Sequence, residues 1–309
     1  MNSARLRPDR LEIPPLDVLA RHIVEGSLTG LHRSPFHGFS SEFSEHKMYT
    51  PGEPVKFIDW KVYAKTDKLY LKKFDEETNM RVRLVVDASS SMYFPLPEVF
   101  DLENLNKIGY AAVASAVLNE IFRRQRDAVG LSVFAEDIIT DLPEKTNMLH
   151  RQHIWGILEN LLVSPDRART TRSAGSLHEI AARIKRRTFS VVFTDLWTGE
   201  ENPNDMIEAL RHLRYKSSEL LVFHLRDRQH EALFQYPDRP YRFKDAETGE
   251  ILQIYPGEIR ENYRRAYRAH IERFRDAFYK YDIDYWPVDT GAPYGEIISA
   301  YLQKRLRMK

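Results

Sequence analysis

From Met80 onward the sequence alternates short apolar runs with amphipathic stretches of helical period, and no other feature limits the fold so much. "RVRLVVD", "DAVGLSVF", "TFSVVFTD", "ELLVFHL" and "IDYWPVD" read as strands, being short, rich in β-branched residues and apolar on both faces. Helical periodicity covers Leu102 to Arg126, Met148 to Leu162, Leu177 to Arg187, the stretch "PNDMIEALRHLRY", and about Ile259 to Tyr281, with a last helix from Tyr294. A hairpin is expected in "YRFKDAETGEILQIY", turning over Thr248-Gly249. Strands that are apolar on both faces and alternate with helices predict an α/β fold, a mostly parallel sheet covered on both sides.

The first part of the chain has a different character. Leu16, Leu19, Ile23 and Val24 mark one face of a helix over Leu16 to Leu28. A block rich in turn residues and aromatics follows, including Phe36, Phe39, Phe43, Phe57 and Trp60, which are too apolar to be left in water. It ends in "KLYLKKF", which alternates like an exposed strand. Residues 1–79 are therefore expected to form an annex to an α/β domain of residues 80–309.

Ligands in an open parallel sheet sit at the carboxyl ends of the strands. Two strands here end in aspartate, Asp87 and Asp195. A lone carboxylate at the end of an apolar strand is costly unless it meets a cation or several donors. Asp87 begins "DASSS", in which the alternate residues Asp87, Ser89 and Ser91 can turn toward one point. Thr170, Thr171 and Ser173 stand before a later helix start. Two carboxylates with several hydroxyls, and no imidazole or thiolate, are the donors of a hard divalent cation such as magnesium, with manganese or calcium as alternatives.

Other chemistries lack their residues. Cysteine is absent, which removes thiolate nucleophiles, disulfides and cysteine-held metals. "LHEIA" fails as a zinc-protease motif because Ala182 stands where a second histidine is required. No Gly-x-Ser-x-Gly, Walker or Gly-x-Gly-x-x-Gly stretch occurs. With 46 basic and 45 acidic residues there is no overall field toward nucleic acid or a membrane. The basic runs at 123–126 and 185–187 fall at helix ends, where they complement the dipole. No apolar run reaches the roughly 18 residues of a membrane span, and no signal-peptide core opens the chain, so a cytoplasmic location is expected.

Asp-x-Ser-x-Ser after a strand, "TRSA" at Thr171 to Ala174 and "FTDLW" around Asp195 resemble, in that order, the metal-ion-dependent adhesion site of von Willebrand factor A domains. The resemblance implies the ligand set Asp87, Ser89, Ser91, Thr171 and Asp195, with Thr170 as the alternative to Thr171. Upstream, Pro51-Gly52-Glu53, Ile58-Asp59-Trp60 and Ala64-Lys65 resemble the signature of the bacterial domain of unknown function 58 family, with Glu53 and Lys65 in place of its Asp and Arg. Lysine cannot form the bidentate contacts of arginine. The resemblance runs over essentially the whole chain from about Leu16. It implies a von Willebrand factor A-like fold and company with MoxR-type AAA+ ATPases. The expected function is a non-enzymatic, magnesium-dependent module that binds a MoxR-type ATPase or its client as adaptor or co-chaperone. Two readings compete: a metal-dependent phosphohydrolase using the same cation, and a scaffold with a vestigial site.

Overall fold

The computed structural model describes residues 10–11, 13–30, 45–48, 60–73, 80–95, 99–163, 173–199, 202–245 and 250–291. The chain falls into two compact units, residues 31–79 and the remainder. The first elements are β1 (Arg10–Leu11), α1 (Leu16–Gly30), β2 (Glu45–Met48), α2 (Trp60–Thr66) and β3 (Tyr70–Lys73). Within the smaller unit β2 pairs antiparallel with β3. Trp60, the first residue of α2, is 61% exposed and meets the Tyr63 ring edge-on, against the expectation that it is too apolar to be left in water. Of the other signature residues, 51–59 lie outside the described residues, as do Phe36, Phe39 and Phe43.

The larger unit continues with β4 (Arg81–Asp87), β5 (Val99–Phe100), α3 (Lys107–Arg124), β6 (Ala128–Phe134), β7 (Ile138–Lys145), α4 (Met148–Val163), α5 (Ala174–Arg183) and β8 (Thr188–Thr194). It closes with α6 (Pro203–Lys216), β9 (Ser217–Arg226), β10 (Tyr241–Lys244), β11 (Ile251–Ile254), α7 (Pro256–Lys280) and β12 (Asp284–Asp289). Six strands form one sheet in the order β12-β9-β8-β4-β6-β7. All neighbours are parallel except β7, which runs antiparallel to β6. This is the α/β class expected from the alternation, mostly parallel and doubly wound. The hairpin is present as the antiparallel pair β10 and β11, although its turn at 248–249 and the helix from Tyr294 lie outside the described residues.

The two faces of the sheet have separate cores, because successive residues of a strand point to opposite sides. Val85, Val192 and Val222 pack with Leu177 and Ile180 of α5, Leu210 of α6 and Phe274 of α7. On the other face Phe122 of α3 meets Phe189 edge-on, and α3 also packs against α1 and α4. Every residue of α3 from Lys107 to Phe122 is buried, which its small residues Gly109, Ala112 and Ala116 permit. Leu16, Leu19, Ala20, Ile23 and Val24 are buried on α1, so residues 1–30 join the α/β unit and only 31–79 stand apart. The contact boundary thus differs from the division at residue 79.

Several elements differ from the sequence reading, among them α3, α5 and β7. α3 begins at Lys107 because Asp101 Oδ1 accepts the backbone N–H groups of Glu103 and Asn104, a local turn that competes with helix. Asn106 then caps α3 by accepting from Gly109 N at 2.9 Å. α5 lies a turn earlier than expected and ends at Arg183, before Arg187 enters the left-handed region at φ 64°. β7 is an additional edge strand, fastened by the buried Arg83, which reaches Asp141 at 2.5 Å and Glu144 at 2.6 Å.

Candidate metal centre

Chain order reverses at β4: the chain leaves it for β6 on one side and returns to β8 on the other. The crevice at that switch is where a doubly wound sheet binds ligands. Asp87 is the last residue of β4 and Asp195 the first after β8, and these strands are neighbours through the pair Val86 and Phe193. Both aspartates are buried.

The loop after β4 turns back at once. Asp87 Oδ1 accepts from Ser89 N at 2.9 Å, and a single 3-10 turn over Ser90–Tyr93 brings the Ser89 and Ser91 hydroxyls to 3.2 Å. Asp87 Oδ2 accepts from Thr194 Oγ1 at 2.8 Å. On the facing side, Asp195 Oδ1 accepts from Trp197 N at 3.1 Å. The next residue, Leu196, sits at φ 57°, a conformation that branched and bulky residues seldom adopt. The turn is held by Leu196 N donating to Thr194 Oγ1 and by Leu196 O, which bonds the His270 ring.

Opposite the serines stands a lysine. Lys107, 1% exposed, donates from Nζ to Asp195 Oδ2 at 2.7 Å and to Glu231 Oε1. Glu231 belongs to a π-helical turn, Arg228–Ala232, directly after β9, and its Oε2 accepts from Asp227 N at 2.8 Å. Burial alone would lower the lysine pKa, but the two carboxylates outweigh it and hold the ammonium charged far above neutrality. Burial would likewise raise Asp195, but Lys107 prevails and holds it below the usual carboxylate range. Asp87 has no such partner. Burial first, and then the charge of Asp195, push it up to about 6, against the hydrogen bonds from Ser89 and Thr194.

Four of the five expected ligands, Asp87, Ser89, Ser91 and Asp195, are therefore brought together. Thr171 and its alternative Thr170 lie outside the described residues. Ser173, just beyond them, has a fully buried hydroxyl with no hydrogen-bond partner. Its neighbour Ala174 packs in the same core as Val85 and Phe134, near this end of the sheet. Among the described residues no group of three or more His, Asp or Glu side chains is disposed to hold a metal. The donor set is instead two carboxylates with hydroxyls, and it fits a hard divalent cation. Asp87 is strained as an anion, the serine oxygens face each other, and a further hydroxyl is orphaned. Lys107, Glu231 and Thr194 escaped the sequence reading. Helical periodicity starts at Leu102, so nothing in the sequence marks Lys107 as the first residue of the helix, set against the dipole.

The rim carries apolar surface. Trp197 is 46% exposed and Phe94 36%. Beyond Phe94, whose ring meets His230 edge-on, lies a cleft of about 410 Å³ lined by Pro95, Leu105, Asp227, His230 and Asp289.

The family model described as "Protein of unknown function DUF58" matches residues 45–273. Uncharacterized protein Mb1516 of Mycobacterium bovis is 24% identical over 259 residues, covering 82% of this chain and 76% of its own. Uncharacterized protein Rv1480 of Mycobacterium tuberculosis matches with the same identity and coverage. Among solved structures, the conserved hypothetical protein BatB from Bacteroides thetaiotaomicron superposes with a TM-score of 0.44 at 16% identity, over 74% of this chain and 99% of that one. A von Willebrand factor type A structure from Catenulispora acidiphila gives 0.33 at 13% identity, over 62% of this chain and 43% of that one.

Proposed function

This chain belongs to the DUF58 family, and from that premise we propose that it is a non-enzymatic interaction module whose strand-end face binds a divalent cation and, through it, a partner protein. The observation that carries the reading is Asp87, fully buried with only neutral hydrogen-bond donors, beside a second carboxylate and two serine hydroxyls. A cation there relieves the repulsion between Asp87 and Asp195. Asp87, Ser89, Ser91, Asp195 and Thr171 would hold it, magnesium being the best match to few carboxylates, neutral oxygens and retained water. The bound ion would supply a Lewis-acid centre for an acidic group of the partner.

The family resemblance seen in the sequence points to a MoxR-type AAA+ ATPase, or a client handed to it, as that partner. Its acidic side chain would complete the metal's shell while Trp197 and Phe94 supply apolar contact at the rim. The fitting test is interferometry with a purified MoxR-type ATPase from the same organism. Binding should appear with magnesium and vanish in chelator. Thr171→Ala should weaken it about tenfold or more by removing a neutral ligand. Lys185→Ala, just past the C-terminal end of α5, should leave it unchanged. Equal binding in chelator would move the docking surface elsewhere.

A further inference from the structure

A lysine is buried at the strand-end face, in an unfavourable position. Lys107 is the first residue of α3, where the helix dipole already places positive character. It is also fully buried, so its charge has been taken out of water twice over. Such a placement requires compensating anions, and the structure supplies two, Asp195 and Glu231. The ring of Phe94, 5.9 Å from Nζ to its centroid, covers the ammonium further.

The charges around this point can be counted. Asp87, Asp195 and Glu231 contribute three negative charges when ionised, and Lys107 returns one positive charge. Among these four groups the sum is minus two when all are ionised, although burial raises the Glu231 carboxyl and Arg226 and Asp227 stand close by. Glu231 is not disposed as a ligand, because one of its oxygens holds Lys107 and the other accepts the Asp227 backbone N–H. It stands behind the lysine and keeps the ammonium against Asp195.

We propose that Lys107 is a fixed counter-charge that sets the metal face to the charge of a divalent cation, with Glu231 as its anchor. Both act through Asp195 as positioning residues and neither touches the ion. The inference rests on the divalent-cation reading given above. Without Lys107 the face carries one negative charge too many for a divalent ion. Without the charge of Glu231 it carries one too few.

Opposite effects follow from neighbouring changes, and these separate a charge role from a merely structural one. In calorimetric titration with Mg2+ alone, Lys107→Met should bind about tenfold more tightly than wild type, and Glu231→Gln about tenfold more weakly. The double variant restores a sum of minus two, and its affinity should return to within about threefold of wild type. Terbium, a trivalent probe, should gain more than Mg2+ from Lys107→Met. Melting temperature in chelator and in Mg2+ gives a second readout: Lys107→Met should show a larger metal-induced rise than wild type, even where its chelated form is partly unfolded. If wild type binds Mg2+ and both single variants weaken it, the charge role is wrong while the metal reading survives. If wild type binds no Mg2+ at all, both fall together.

Discussion

Asp195→Ala should cost the protein about 3–5 kcal/mol of stability in chelator, the usual consequence of removing one partner from a buried ion pair. The change deletes the 2.7 Å contact to Lys107 Nζ and leaves that ammonium buried with Glu231 alone, at a helix N-terminus that already opposes it. It also frees the backbone N–H of Trp197. Since Lys107 holds the Asp195 carboxyl below its ordinary range, the contribution is present above the unfolded carboxylate pKa and is lost as pH falls through the lower folded value. Urea denaturation at neutral pH measures it. Divalent-cation binding should be lost in the same variant. A cost below about 1 kcal/mol would show that Lys107 does not depend on this pair in solution.

Asp87 should behave in the opposite way, although it stands beside Asp195. Its pKa, raised to about 6, means the folded state favours the protonated acid. The group's stabilisation is therefore full below the unfolded value of 3.8 and disappears as pH rises through about 6. The rise to about 6 corresponds to on the order of 3 kcal/mol lost by neutral pH. In chelator, the wild type should lose stability across that window, and Asp87→Asn should lack this loss. At pH 7.5 without metal, Asp87→Asn should be at least as stable as wild type while failing to bind the cation. Added Mg2+ should restore stability to the wild type alone, since it binds the folded state. If Asp87→Asn instead proved as damaged as Asp195→Ala in chelator, the carboxylate would be a structural hydrogen-bond acceptor and not a poised ligand.

Much of this site was legible from residues close together in sequence. Asp87, Ser89 and Ser91 lie on one loop, and Asp195 repeats the strand-end pattern, so local spacing was enough to bring them forward. The sheet was legible for the same reason: β4 and β8 are buried on both faces and carry apolar runs, Leu84 to Val86 and Val191 to Phe193. β7 was not, because an edge strand needs no apolar face, and Pro143 within "IITDLPEK" argues against a ladder. It is recruited by Arg83, 58 residues from Asp141, and no periodicity carries that. Lys107 was hidden by the same kind of distance. Its partners lie 88 and 124 residues away, and only the fold shows that a polar residue in an otherwise buried helix faces two carboxylates. Trp60 stays exposed despite its apolar ring because composition says how apolar a residue is, not what is there to cover it.

The central claim is that a divalent cation sits on the oxygens at the ends of β4 and β8. Its most direct test is a titration of Mn2+ into the metal-free chain, followed by electron paramagnetic resonance, beside the double variant Ser89→Ala/Ser91→Ala. That variant keeps every carboxylate and Lys107 and removes only two neutral oxygens. One strongly bound Mn2+ per wild-type chain, with no stoichiometric binding in the folded variant, is the result expected. Equal Mn2+ binding by both proteins, or none by the wild type, would contradict it.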